Sequence, residues 1–254
     1  GDDCAVIERT NKEIVVTTDL LIEGVHFNLA YTPMKHLGYK SVIVNLSDIY
    51  AMNCTPKYIT LSIAISNRFS FEALEEFYEG VYSACELYNV DLLGGDTSSS
   101  NKGMFISVTA IGEGEKDKIV YRSTAKVNDL ICVTGNLGAA YMGLQLLERE
   151  NTIFKANPEI QPDLSGYDYI MRRQLKPEAR KEIIELFTEK NIVPTSMIDI
   201  SDGLSSEILH ICNQSKVGCE IHEDRIPIAQ ETAKMSDEIG MIQTIAALDR
   251  KSVV

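Results

Sequence analysis

The chain has 254 residues, 44% of them hydrophobic and 24% charged, a composition that folds instead of staying disordered. Against 37 Asp and Glu stand 24 Lys and Arg, and the net charge of −13 excludes a basic nucleic-acid surface. No apolar run approaches the ~20 residues that span a bilayer, so no membrane partner is expected.

The chain opens Gly1-Asp2-Asp3, without a cationic apolar leader and without Met, so its natural start is expected to lie upstream. Cys4, Cys54, Cys85, Cys132, Cys212 and Cys219 are scattered and form no C-x-x-C pair, which argues against a zinc site. Most sit in apolar segments, where a reduced thiol acts as a small hydrophobe, and a cytoplasmic location is expected.

In chain order, residues 4–8 and 13–19 read as strands. Pro33 opens a helix to about Met52, whose apolar positions follow the 3.6 period only roughly, a sign of burial on more than one side. Tyr58 to Ser66 alternates as a half-buried strand does. Ser70 caps a helix to about Tyr88, with Glu72, Glu75 and Glu76 near its positive end. A short strand, 90–93, runs into Gly94-Gly95-Asp96, and Met104 to Gly112 is another strand. Tyr121 to Asp129 is polar and reads as a connector. Beyond it come a strand at 130–134, a helix from Ala139 to Arg149, a loop over 151–168, and a helix from Pro177 to Lys190. A strand at 196–200, a helix to about Ser215, a strand at 217–222 and a helix at 229–239 complete the series. The reading is α+β in two domains, 1–124 and 125–248.

Asp is disfavoured in strands and helix interiors, yet it recurs at the ends of apolar elements as Asp3, Asp19, Asp48, Asp96, Asp199 and Asp202. If these ends converge, their like charges require cations, and hard oxygen donors in that number suit Mg²⁺ carrying substrate phosphates. That is the apparatus of phosphoryl transfer. Bland readings stand beside it. Gly94-Gly95-Asp96-Thr97 also fits a strand-ending turn, Ser201-Asp202-Gly203 a helix N-cap, Asp48 a solvated helix residue, and Arg122 an exposed connector residue. There is no Walker loop, no G-x-G-x-x-G and no nucleophile elbow, so a nucleotide would be held through metals and an arginine. Among the four histidines, His26 stands apart because it follows Asp19 in a Gly-containing strand-to-loop stretch suited to binding.

Gly1-Asp2-Asp3, Thr17-Thr18-Asp19 running to Glu23-Gly24-Val25-His26-Phe27, and Val44-Asn45-Leu46-Ser47-Asp48 resemble blocks of the thiamine-monophosphate kinases. So do Gly94-Gly95-Asp96-Thr97, Arg122-Ser123, Val133-Thr134-Gly135 and Ile198 to Leu204. The resemblance runs in order from residue 1 to about 248. The E-G-V-H-F block separates this family from relatives of the same fold, including aminoimidazole ribonucleotide synthase and selenophosphate synthase.

The resemblance implies an aminoimidazole ribonucleotide synthase-like fold and a homodimer whose N-terminal sheets pair. It implies a C-terminal α/β domain, incomplete in this chain, and a kinase that moves the γ-phosphoryl of ATP onto thiamine monophosphate. By the same resemblance, Asp3, Thr17, Thr18, Asp19, Asp48, Asp96, Asp199 and Asp202 serve a Mg²⁺ cluster, with Asp19, Asp48 and Asp96 as its catalytic members. Gly95, Asp96, Arg122 and Ser201 contact ATP, and His26 contacts thiamine monophosphate. The family continues with a G-G-E-D-Y-E block where this chain has Asp249 to Val254, expected to be a non-native tail. Two other readings are a sister ATP-dependent enzyme of the same fold and a non-catalytic fragment.

Overall fold

The computed structural model describes residues 5–7 and 12–248; Asp3, Cys4 and the segment 249–254 lie outside the described residues. The chain divides into two units. The first holds residues 1–126 and 178–199, the second 127–177 and 200–254.

The first unit is built on a five-stranded sheet of β1 (Ala5–Ile7), β2 (Glu13–Ile22), β3 (Thr55–Ile65), β4 (Asp91–Ser99) and β5 (Phe105–Gly114), in spatial order β1-β2-β5-β3-β4. All neighbours are antiparallel except β3 and β4. That parallel pair needs a crossover, supplied by helix α2 (Phe71–Tyr88). Strand alternation sets one face against the helices: Val15, Thr17 and Leu21 of β2 and Ile106, Val108 and Ala110 of β5 are buried. The opposite face carries Leu20, 52% exposed, and the partly exposed Ile14, Val16 and Ile111.

Helix α1 (Met34–Ala51) is buried almost all round, as its weak periodicity predicts. It packs on α2 through two glycines. A Cβ on Gly38 would fall 1.9 Å from the Phe77 carbonyl oxygen, and one on Gly80 1.9 Å from that of Lys35. Ser70 caps α2 as expected, its Oγ accepting the Ala73 N–H at 3.2 Å, and Asn89 ends it in the left-handed conformation.

Gly94-Gly95-Asp96-Thr97 is not a strand-ending turn. β4 runs straight through it, because the missing side chain at Gly95 lets the backbone lie against β3. A Cβ there would sit 1.6 Å from the Leu61 carbonyl oxygen.

The segment expected to continue the second domain returns to the first unit instead. Helix α5 (Lys181–Lys190) adds Ile184 to the main core. The Tyr88 hydroxyl anchors the return, donating to the Ala179 carbonyl at 3.2 Å and accepting its N–H at 3.0 Å.

The second unit is helical among the described residues: α3 (Ala139–Ala156), α4 (Asp168–Leu175), α6 (Leu204–Ser215), α7 (Gln230–Glu238) and α8 (Gln243–Leu248). One core gathers Met142, Leu146, Ile170 and Met235, and a smaller one Leu137, Leu204, Ile208 and Ala247. The strands expected at 130–134 and 217–222 do not form there, and neither does the one expected at 196–200. A strand needs a ladder partner, and the only pairing described in the second unit is a bridge between Leu137 and Ile228. Leu130, without a ladder or a core to enter, is 90% exposed. The α3 helix also runs on through residues expected as loop, and α4 and α8 had no counterpart in the sequence reading.

Candidate active site

The helix-covered face of β2 carries Thr17 and Asp19, and α1 packs on it with Asn45, Ser47 and Asp48 within about one turn of one another. The Thr17 hydroxyl donates to Asp48 Oδ2 at 2.6 Å. The Asp19 amide donates to Asn45 Oδ1 at 3.1 Å, and the Asn45 amide nitrogen donates back to the Ser41 carbonyl. Ser47 donates to Asp199 Oδ2 at 3.0 Å, bringing in the end of the returning segment. Thr17, Asp19, Asp48 and Asp199 are thereby tied to one helix within one unit. Burial raises the Asp19 carboxyl above the ordinary carboxylate range, and nearby His26 works against the rise. A carboxylate desolvated in this way is stabilised by a cation.

Arg122 opens a 3-10 turn, Arg122–Thr124, that is bound to the returning segment. Thr124 donates to the Thr195 carbonyl, and Ser196 donates to that of Tyr121 at 2.9 Å. The stretch expected as a loose connector is therefore fixed beside the segment that leads to Asp199.

His26 sits on a tight turn closing β2. Its Nδ1 accepts the Ile22 N–H at 3.0 Å, which in the neutral ring leaves Nε2 to carry the proton. Phe27, 8% exposed, anchors the turn in the core.

Two expected site residues stand apart from this group. Thr18 points to the opposite face of β2, donating to the Val108 carbonyl at 3.1 Å and accepting from Thr109, so its hydroxyl does not join Thr17 and Asp19. Asp96 lies on edge strand β4. Asp19 is opposite Val108, Val108 opposite Leu61 and Leu61 opposite Gly95, so Gly95 is three strands, about 14 Å, along the row from Asp19. Among the described residues no three His, Cys, Asp or Glu side chains are gathered into an ion-binding group.

In the second unit, Ser201 and Asp202 precede α6. Gly203, at φ +106°, is the N-cap and no side chain caps the helix, so Asp202 is not spent as a cap. The Asp202 amide donates to buried Glu207 Oε1 at 3.1 Å, fixing the loop from behind.

Sequence reasoning did not assign Asn45 and Ser47 to the site. The signal was present: Asn45, 1% exposed, is an amide directly after the apolar run Val42-Ile43-Val44, and such a group is buried only with partners.

The mixed five-stranded sheet packed by α1 and α2, with Asp19, Asp48 and Asp199 tied to α1, is that of an AIR synthase-related protein. The profile for the AIR synthase related protein N-terminal domain matches residues 1–113. The curated thiamine-monophosphate kinase of Bacillus subtilis is 36% identical over 92% of this chain and 70% of its own length. That of Aquifex aeolicus is 33% identical over 94% of this chain and 73% of its own. A structure of AaThiL complexed with AMPPCP and TMP superposes with a TM-score of 0.87 at 31% identity, covering 98% of this chain and 75% of that one. The chain belongs to the thiamine-monophosphate kinase family. A hydrogenase maturation protein HypE, at 17% identity and a TM-score of 0.72, shares the fold.

Proposed function

We propose that this chain transfers the γ-phosphoryl group of ATP directly to thiamine monophosphate, giving thiamine diphosphate and ADP. The observation that carries the reading is the match, over nearly the whole chain, to a relative complexed with AMPPCP and TMP. A terminal phosphate oxygen of thiamine monophosphate attacks the γ-phosphorus, the bond to the β-bridging oxygen breaks, and ADP leaves with that electron pair. The attacking phosphate is already ionised near pH 7, so positioning and charge neutralisation suffice without a strong base.

Thr17, Asp19, Asp48 and Asp199 offer oxygen donors only, and Asp19 is desolvated, a donor set that fits Mg²⁺. Such sites are completed by substrate phosphates, so a protein-only cage of three carboxylates is not required. Mg²⁺, when bound, supplies the positive charge that offsets the phosphate chain. The proposal also assigns Asp3, Asp96 and Asp202 to Mg²⁺, whereas the Thr18 hydroxyl is engaged on the opposite face of β2. Gly95, Asp96, Arg122 and Ser201 hold ATP. His26 presents Nε2–H to thiamine monophosphate.

The same proposal includes a homodimer formed across the uncovered sheet face. Ile14, Val16, Leu20 and Ile22 of β2 and Phe105 and Ile111 of β5 line that face, and an apolar sheet surface of this extent calls for a cover. A cytoplasmic setting accords with the buried thiols of Cys54 and Cys85, which burial pushes up to about 12 and about 11. None of the described helices is long and apolar enough to cross a membrane.

The test is chromatographic detection of thiamine diphosphate from Mg²⁺-ATP and thiamine monophosphate, with thiamine as control acceptor. Product from the monophosphate alone is expected. Product from thiamine, or none from either, contradicts the reading.

A further inference from the structure

We propose that Glu23 is a positioning residue: its carboxylate latches the turn that carries His26 and so sets recognition of thiamine monophosphate. This rests on the reading that His26 faces that substrate.

Three chain segments meet at Glu23. Its backbone N–H donates to the Met104 carbonyl at 3.0 Å, and the Met104 N–H donates to its Oε2 at 2.9 Å, a closed two-bond clasp onto the start of β5. Its other oxygen, Oε1, pairs with Arg68 Nη2 in the loop after β3. Arg68 in turn lies over the Phe69 ring, 5.0 Å from its centroid. The Glu23 side chain is only 18% exposed, so these charge-assisted bonds are partly shielded from water. The clasp is fitted closely. Gly103 has φ +68°, and a Cβ there would approach Glu23 Oε2 to 3.0 Å.

The clasped residue is the first of the turn. Gly24 N–H donates to the Phe27 carbonyl at 2.8 Å, His26 N–H to that of Ile22 at 2.9 Å, and Ile22 N–H to the His26 ring at 3.0 Å. The ring's orientation is therefore set by the Ile22–Phe27 backbone, which is held to two neighbouring loops by Glu23. Val25, at the tip, is 69% exposed, and its N–H donates to the Ile22 carbonyl at 3.1 Å. Without the carboxylate, the turn keeps its internal bonds, its Phe27 anchor and the Glu23 N–H bond to Met104, but loses the side-chain half of the clasp and its tie to the β3 loop.

Glu23→Ala, Glu23→Gln and Arg68→Met separate the parts. Gln retains an acceptor for Met104 N–H without the charge, and Arg68→Met leaves that acceptor intact. The expected result is a rise of about tenfold in KM for thiamine monophosphate in Glu23→Ala, a smaller rise in the other two, and KM for ATP within about twofold of the parent. Amide exchange in residues 22–27 and 103–105 should accelerate in Glu23→Ala while that of 14–19 does not. An unchanged KM for thiamine monophosphate, or equal losses for both substrates with a falling melting temperature, would overturn the proposal. If the parent makes no thiamine diphosphate, the functional reading fails, and the exchange measurement still decides the latch: faster exchange confined to those segments supports it, unchanged exchange refutes it.

Discussion

Asp19, Asn45 and Asp48 show how the candidate site is assembled from polar groups that a strand and a helix interior each disfavour. Asp19 and Asp48 were legible as candidates because an acid stands beside an apolar stretch there, and His26 because it follows Asp19 in a Gly-containing strand-to-loop stretch. Asn45 and Ser47 were not legible as site residues, since their partners, the Asp19 amide and Asp199, are brought to them only by tertiary packing. Asp48→Asn keeps an acceptor for the Thr17 hydroxyl and removes one charge. Its kcat should fall by about a hundredfold or more, with little change in urea midpoint. A kcat near the parent value would remove Asp48 from the charge-neutralising set.

Lys40, 3% exposed in α1, carries a different residue-scale consequence. Burial pushes its ammonium down from 10.5 to about 7. Between those values the unfolded chain binds the proton and the folded one does not. Stability contributed by this residue therefore rises with pH across that window, and the full penalty applies below it. The span corresponds to a few kcal/mol. Measured against Lys40→Met, the parent should gain stability between pH 7 and 10, as read by urea unfolding. Parallel pH profiles for the two proteins would contradict the assignment.

At the scale of elements, α1, α2 and β3 followed from apolar patterning, the Ser70 cap and strand alternation, with boundaries shifted by a few residues. β4 was cut short in the sequence reading because paired glycines ordinarily punctuate a strand. Here pairing with β3 overrides that preference and uses the absent Cβ of Gly95. Helices α4 and α8 are short and give too few turns for periodicity to register. The contact between α1 and α2 is the most sensitive element-scale feature. Gly38→Ala would place a methyl group 1.9 Å from a backbone oxygen that cannot rotate away. It should destabilise the protein by about 1–3 kcal/mol or more through separation of the helices, measured as a lower urea midpoint. An unchanged midpoint would show that the helices separate freely.

At the scale of the whole molecule, the order of segments along the chain hid the order in space. The polar stretch after Tyr121 marked a boundary near the one observed, but nothing local signals that residues 178–199 rejoin the first unit. That return depends on Tyr88 meeting Ala179 and on Ile184 entering the main core. The second unit was the least legible, because strand-like patterning at 130–134 and 217–222 has no ladder partner to realise it. The uncovered sheet face makes its own prediction. The parent should sediment as a dimer, and Leu20→Glu, which puts a carboxylate on that face, should shift it toward monomer. A monomeric parent, or an unaltered dimer in the variant, would contradict sheet-to-sheet pairing.

In the proposed function the γ-phosphoryl group passes directly from ATP to a phosphate acceptor. A single-turnover reaction with γ-labelled ATP, excess protein, Mg²⁺ and thiamine monophosphate tests it most directly. Label should pass from ATP into thiamine diphosphate with none retained on the protein. Label on the protein, or release only as inorganic phosphate, would contradict it.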